Sequence, residues 1–175
     1  STDAAVRGVL LRVGRAEIGW AQLATLVRCV ERLRACGKHT VVYTDGTGNA
    51  GAWIGASAEH FWVAPQGRVD LLGIKAESNF LRSALDRWGI APEVMSAGAF
   101  KSVGEILTRD GMSEPAREAL EAVIESLYRS LVDGLSAARR VDSEVAQRWI
   151  DEGPYLAREA QAIGLVDACL YGDEV

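Results

Sequence analysis

Few of the residues that build cross-links, metal centres or membrane spans occur in this chain. There are three cysteines, Cys29, Cys36 and Cys169, and two histidines, His39 and His60. No cysteine sits in a C-x-x-C pair or alternates with histidine at zinc spacing, so neither a disulfide framework nor a histidine-based metal site is expected. Cys29 and Cys36 lie two turns apart in a helical stretch, ~10 Å along the axis, too far for a disulfide within one helix. All three cysteines are expected to be small buried hydrophobes. No run approaches the ~20 apolar residues of a membrane span. No signal peptide opens the chain, which begins at Ser1 rather than Met. Basic charge is also short: 19 Lys and Arg face 24 Asp and Glu, for a net charge of −5. A nucleic-acid groove needs a concentrated basic face, so no nucleic-acid partner is expected.

What is present is a globular balance. The 175 residues are 49% hydrophobic and 25% charged, with no repeat, linker or low-complexity segment, which predicts one domain over residues 1–175. Val9 to Val13 reads as a buried strand. Trp20, Leu23, Val27, Val30 and Leu33 recur at helical steps, and Gly37 stands where that helix should stop. Thr40 to Thr44 is a second strand, which predicts a β-α-β unit with parallel pairing. A glycine-rich turn, Asp45 to Ala52, leads into a small-residue helical segment from Trp53 to His60. Phe61 to Ala64 is a third strand, ended by Pro65-Gln66-Gly67, and a short apolar piece follows from Val69 to Ile74. Asn79 to Trp88 is helical with Gly89 as its stop, and Pro92 to Met95 reads as a further strand.

From Ser113 onward the pattern becomes helical. Ser113 is an N-cap candidate, Glu114 and Pro115 suit a first turn, and Leu120, Val123, Ile124, Leu127, Leu131 and Leu135 form one apolar stripe. Two shorter helices follow, one capped by Asp142 and one around Leu156 to Ile163, stopped by Gly164. The fold class expected is α/β with a helical C-terminal third.

Chemistry has few places to sit. Gly46-Thr47-Gly48 lies between a strand and a helix, but it lacks the G-x-G-x-x-G spacing and no Walker lysine follows. Such a junction mounts the next residue at the exposed end of the sheet, where nucleophiles are commonly held. That residue is Asn49, without a hydroxyl or thiol. Ser57 lies on the small-residue helix two turns beyond Asn49, and Ser96 and Ser102 flank a loop with no histidine near them in sequence. Lys101 is one of only three lysines against sixteen arginines. Lysine, unlike arginine, can lose its proton when buried, so a desolvated Lys101 could act as general base towards a serine, and an exposed surface lysine is the plainer alternative.

Gly98-Ala99-Phe100-Lys101-Ser102-Val103-Gly104-Glu105, followed by Arg109 to Glu118, resembles the lysine segment of the signal peptide peptidase A (protease IV) family. Ala50 to Ile54, Val63 to Gly67, Ala157 to Ala160 and Ile163 to Asp167 are similar to further stretches of that family. The resemblance covers nearly the whole chain. It implies the Clp-protease/crotonase fold of repeated β-β-α units and a serine–lysine dyad with Lys101 as the general base. It implies no metal and no cofactor.

This chain departs from the single-domain members in three places, one of them the G-G pair often seen just after the serine, here reduced to Ala50-Gly51. Asn49 stands where they carry the nucleophilic serine, and Gly14-Arg15-Ala16-Glu17 lacks the diglycine usually linked to an oxyanion hole. In double-length members the N-terminal domain gives the lysine and the C-terminal one the serine, and this chain resembles the N-terminal half. The resemblance therefore implies a serine-bearing C-terminal domain as partner, hydrophobic peptides such as cleaved signal peptides as substrates, homo-oligomers, and association with the extracytoplasmic face of a membrane. Alone, the chain is expected to be inactive. The alternatives are a non-catalytic assembly module of the same fold and a crotonase-type acyl-CoA enzyme. The latter requires paired oxyanion amides and a glutamate near the turn, and neither is visible.

Overall fold

The computed structural model describes residues 3–14, 18–95 and 103–175. These form two compact units: Ser1–Gly73 with Arg129–Val175 (unit 1), and Ile74–Tyr128 (unit 2).

Unit 1 carries the sheets. Strands β1 (Gly8–Arg12), β2 (His39–Thr44), β4 (His60–Val63) and β7 (Ala168–Cys169) form one sheet in the order β1-β2-β4-β7. All its pairings are parallel, with Val9 opposite Thr40 and Val42 opposite Phe61. The helix α1 (Trp20–Ala35) makes the first crossover, as its three- and four-residue spacing predicts, with Leu23, Val27 and Val30 buried. Gly37 ends it at a φ of +71°, a conformation that favours glycine. On β2, Thr40, Val42, Tyr43 and Thr44 are all buried, as expected of a strand covered on both faces. The buried threonines are satisfied: Thr40 Oγ1 accepts from Glu59 N–H and Thr44 Oγ1 from Gly46 N–H.

A second, smaller sheet orders β3 (Thr47–Gly48), β5 (Arg68–Asp70) and β6 (Tyr155–Leu156), with β3 parallel and β6 antiparallel to β5. Two-residue strands carry no readable periodicity, and β3 and β6 have no sequence signal. Between the sheets in sequence lies α2 (Asn49–Ser57), buried from Gly51 to Ser57. A Cβ on Gly55 would stand 2.5 Å from the Phe61 ring, so this small-residue helix is as closely packed as its composition predicts. The helix ends at Ser57 rather than His60. His60 must pair with Val41 in the parallel register, so Ala58 is already extended.

The C-terminal third is helical: α5 (Glu114–Arg139), α6 (Ser143–Asp151) and α7 (Ala157–Ala162). Residues 129–139 of α5 belong to unit 1, where Leu131 and Leu135 are fully buried. Gly164 stops α7 at a φ of +80°.

Unit 2 contains α3 (Arg82–Arg87), α4 (Glu105–Thr108) and residues 114–128 of α5. Here several sequence expectations are corrected. The strand expected from Pro92 to Met95 does not form. Proline supplies no N–H to a ladder, and Val94 and Met95 are exposed instead of paired. Along the apolar stripe of α5, Leu120, Ile124 and Leu127 are half-buried and Val123 is 54% exposed, while Leu131 and Leu135 are fully buried. Cys29 and Cys36 are exposed free thiols, not buried hydrophobes. Cys29 lies on the face of α1 turned away from Leu23, Val27 and Val30, and Cys36 is the C-cap.

Candidate active site

Parallel strands begin at one edge of the sheet and end at the other, and the ends carry the chemistry in such folds. After β2 the chain turns through Asp45-Gly46, forms β3 and enters α2 at Asn49. Asp45 also meets the buried Tyr43, whose hydroxyl donates to Asp45 Oδ1 at 3.1 Å. Burial first, and the Asp45 carboxylate second, push the Tyr43 phenol up from its ordinary value. His39 and His60 are the first residues of β2 and β4, at the opposite edge from Asn49. His39 Nδ1 pairs with Glu59 Oε2 at 2.9 Å, and His60 stacks on Trp62. Neither ring can serve as base at the turn.

Asn49 is half-buried, and both polar atoms of its side chain are engaged. Nδ2 donates to Gly73 O at 2.5 Å, and Oδ1 accepts from Leu72 N–H at 3.0 Å. Ser57 is fully buried two turns on, and its Oγ donates to the Trp53 carbonyl at 2.9 Å. It is a helix-internal bond, not a nucleophile. Lys101, Ser96, Ser102 and residues 15–17 of the first loop lie outside the described residues.

The motif that follows Lys101 is organised within unit 2. Glu105 accepts from Ser113 N–H at 2.9 Å and from Ser113 Oγ at 2.5 Å. The Ser113 hydroxyl first, and its backbone N–H second, hold the Glu105 carboxyl below its ordinary value. Glu105 is therefore an ionised anchor for the start of α5, not a proton donor. Ser113 Oγ also accepts from Ala116 N–H at 3.4 Å, the capping contact expected of it. Ser83 Oγ donates to Asp110 Oδ1 at 2.6 Å, and Leu81 N–H to Ile106 O at 2.7 Å. A cavity of about 210 Å³ opens beside these groups, lined by Phe80, Val103, Ile106, Met112 and Leu120. The Glu105–Ser113 pair was not recognised in the sequence, although both residues belong to conspicuous segments; their separation of eight gives no helical or strand signal.

The closing segment of the chain has a structural task. Asp167 accepts from Phe61 N–H at 2.6 Å and from Arg139 Nη1 at 2.9 and 3.1 Å. One carboxylate thus joins β4, the end of α5 and the entry to β7. Among the described residues no group of three His, Cys, Asp or Glu side chains could hold a metal ion. Among them, too, no helix is long and apolar enough to cross a membrane.

The mostly parallel α/β core, with α2 starting at the strand ends, has a Clp-protease/crotonase-like fold. A ClpP1 mutant from Listeria monocytogenes superposes with a TM-score of 0.50 at 12% identity, over 97% of this chain and 94% of that one. Residues 32–175 match the model of peptidase family S49, and the chain belongs to that family. It is 27% identical over 173 residues to the chloroplastic serine protease SPPA of Arabidopsis thaliana, covering 99% of this chain and 26% of that protein. It is also 27% identical over 117 residues to Protease 4 of Salmonella typhi, covering 67% of this chain and 19% of that protein. The chain spans about a quarter or less of the length of these two relatives.

Proposed function

We propose that this chain is the lysine-bearing N-terminal half of a serine–lysine endopeptidase that degrades hydrophobic peptides such as cleaved signal peptides. Lys101 is the general base, and a second domain of the same polypeptide supplies the serine. The observation that carries the reading is Asn49. At the turn where a single-domain peptidase mounts its nucleophile, this chain holds a carboxamide whose donor and acceptor are both spent on the backbone of Leu72 and Gly73. Membership of a peptidase family supports the hydrolytic chemistry.

In this mechanism the neutral Lys101 amine takes the proton of the serine hydroxyl as the oxygen attacks the peptide carbonyl. The resulting ammonium then returns that proton to the leaving amine. Water, deprotonated by the same amine, hydrolyses the acyl-enzyme. A lysine working near neutral pH must titrate well below its ordinary ~10.4, which an apolar, water-poor surrounding achieves by penalising the charged form. The protein acts as a homo-oligomer associated with the extracytoplasmic face of a membrane.

The test is cleavage of a fluorogenic peptide with an apolar leaving side by the full-length polypeptide. Wild type is compared with Lys101→Ala, and this chain alone is the control. Loss of activity in the folded variant, with none in the isolated chain, supports the split dyad. A second reading, a non-catalytic assembly module, is favoured by the same Asn49, and retained cleavage by Lys101→Ala would establish it.

A further inference from the structure

Unit 2 carries two adjoining cavities that share a wall. The apolar one, about 210 Å³, is lined by Phe80, Ile106 and Leu120 among others. The second, about 690 Å³, is lined mainly by polar groups, among them Arg82, Thr108, Arg109 and Asp110. Glu105 and Met112 line both. All of these residues lie within Ile74–Tyr128, so unit 2 alone builds the pair.

Three successive residues at the start of α3 hold the wall of the polar cavity at alternate positions. Leu81 N–H donates to Ile106 O at 2.7 Å, Arg82 Nη1 to Thr108 O at 3.3 Å and Ser83 Oγ to Asp110 Oδ1 at 2.6 Å. Arg109 lies between two of these tethered residues, and its own N–H donates to Glu105 O. Its backbone is therefore fixed, while its guanidinium makes no ion pair and no hydrogen bond among the described residues. Arg82 is already engaged, with Asp86 and Thr108 O as partners. Glu105 does not occupy Arg109, because both its oxygens accept from Ser113. The Asp110 carboxylate uses only Oδ1, on Ser83.

A free guanidinium is a planar fork of donors that fits a carboxylate. The remaining Asp110 oxygen can accept an N–H. The apolar cavity is smaller than the roughly 300–1,000 Å³ of sites that enclose drug-sized ligands, so it suits a single side chain. Carboxylate, N–H and apolar side chain occur on one α-carbon in the last residue of a peptide. A fatty acid has no N–H to give.

We propose that unit 2 binds the C-terminal end of an apolar peptide. The terminal carboxylate lies on the Arg109 guanidinium, the last N–H on Asp110 Oδ2 and the last side chain in the cavity of Phe80, Ile106 and Leu120. The choice of a peptide rests on the peptidase reading, since hydrolysis of a peptide bond leaves a new carboxylate on one product. The recognition of an apolar carboxylate does not rest on it.

The test is an NMR titration of this 175-residue chain with acetyl-alanyl-leucine as the free acid, its C-terminal amide, the acid with glycine in place of leucine, and octanoate. The free acid should shift amides of unit 2, those of Ile106 and Met112 among them, and leave those of unit 1 in place. It should bind about tenfold tighter than the amide, the ratio that one hydrogen bond to a charged group is worth. The glycine counterpart, which leaves the apolar cavity empty, should be weaker by about the same factor. Arg109 is exposed, so Arg109→Gln should fold normally, weaken the acid alone and abolish its preference over the amide. Equal binding of acid and amide, or an unchanged preference in Arg109→Gln, overturns carboxylate recognition. Equal binding of the leucine and glycine acids overturns the apolar subsite. Octanoate binding as tightly as the leucine acid overturns the peptide, and no shift in unit 2 with any probe overturns the site. Retained cleavage by Lys101→Ala overturns the peptidase reading, while the preference for acid over amide still decides this site.

Discussion

Replacing Asp167 with alanine should be among the most damaging single changes to unit 1. The Asp167 side chain is 33% exposed and that of Arg139 only 10%. Removing the carboxylate leaves a guanidinium nine-tenths buried with no counter-charge, and it strips Phe61 N–H of its acceptor. Breaking a buried pair costs about 3–5 kcal/mol. The partial exposure of Asp167 lowers that, because water reaches the site and screens it. An orphaned backbone N–H restores about 1–3 kcal/mol of cost. The expected loss is therefore roughly 3 kcal/mol. For a chain of this length that corresponds to a fall in Tm of about 6–12 °C.

The reverse substitution should behave differently. Arg139 Nε and Nη2 are buried without a partner among the described residues, so the guanidinium already carries an uncompensated desolvation cost. Arg139→Met removes that cost, and Asp167 keeps both its partial hydration and its bond to Phe61. It should cost about 1 kcal/mol or less. Urea denaturation followed by the fluorescence of unit 1, which contains Trp53 and Trp149, measures both. A larger loss for Arg139→Met than for Asp167→Ala, or a loss below about 0.5 kcal/mol for the latter, would refute the reasoning.

Two further predictions concern α5 and its start. Leu131→Ala, at a fully buried position, should destabilise by about 2–5 kcal/mol, whereas Val123→Ala, 54% exposed, should stay within about 0.5 kcal/mol; chemical denaturation of the pair reads how far along the stripe the core extends. Glu105 titrates below its ordinary value because Ser113 bonds its carboxylate. A depressed carboxyl gives stability that is present above the unfolded value of 4.5 and lost as pH falls through the folded one. Ser113→Ala should move the Glu105 titration, followed by NMR, upwards and flatten the acid limb of the stability curve; an unmoved titration would mean that the hydroxyl contributes nothing.

Local patterns carried much of the architecture. The 3–4 spacing of Leu23, Val27 and Val30 marked α1, the β-branched runs marked β1 and β2, and Gly37, Gly89 and Gly164 marked helix stops at which φ is indeed positive. Each of these signals is a property of neighbouring residues. The strand expected at Pro92–Met95 shows where such a signal fails. Strand propensity describes a fit to a pleated partner surface, and among the described residues no strand pairs with that segment. The burial expected of Cys29 and Cys36 fails for a related reason. Their residue type favours burial, but the face of α1 that is buried was chosen by leucine and valine, and Cys29 lies off it.

By itself the sequence determined the α/β order, the parallel crossover, the turn that presents Asn49 and the motif around Lys101, because periodicity, glycine conformation and motif spacing are read along the chain. Only the tertiary structure decided what those residues do to one another. Asn49 meets the backbone 23 and 24 residues away, and Asp167 reaches a backbone amide 106 residues away. A carboxamide spent on a distant backbone segment, or a carboxylate that joins a strand to a helix, has no local signature. Its partner is chosen by the fold, through the need to satisfy buried polar groups wherever packing brings them.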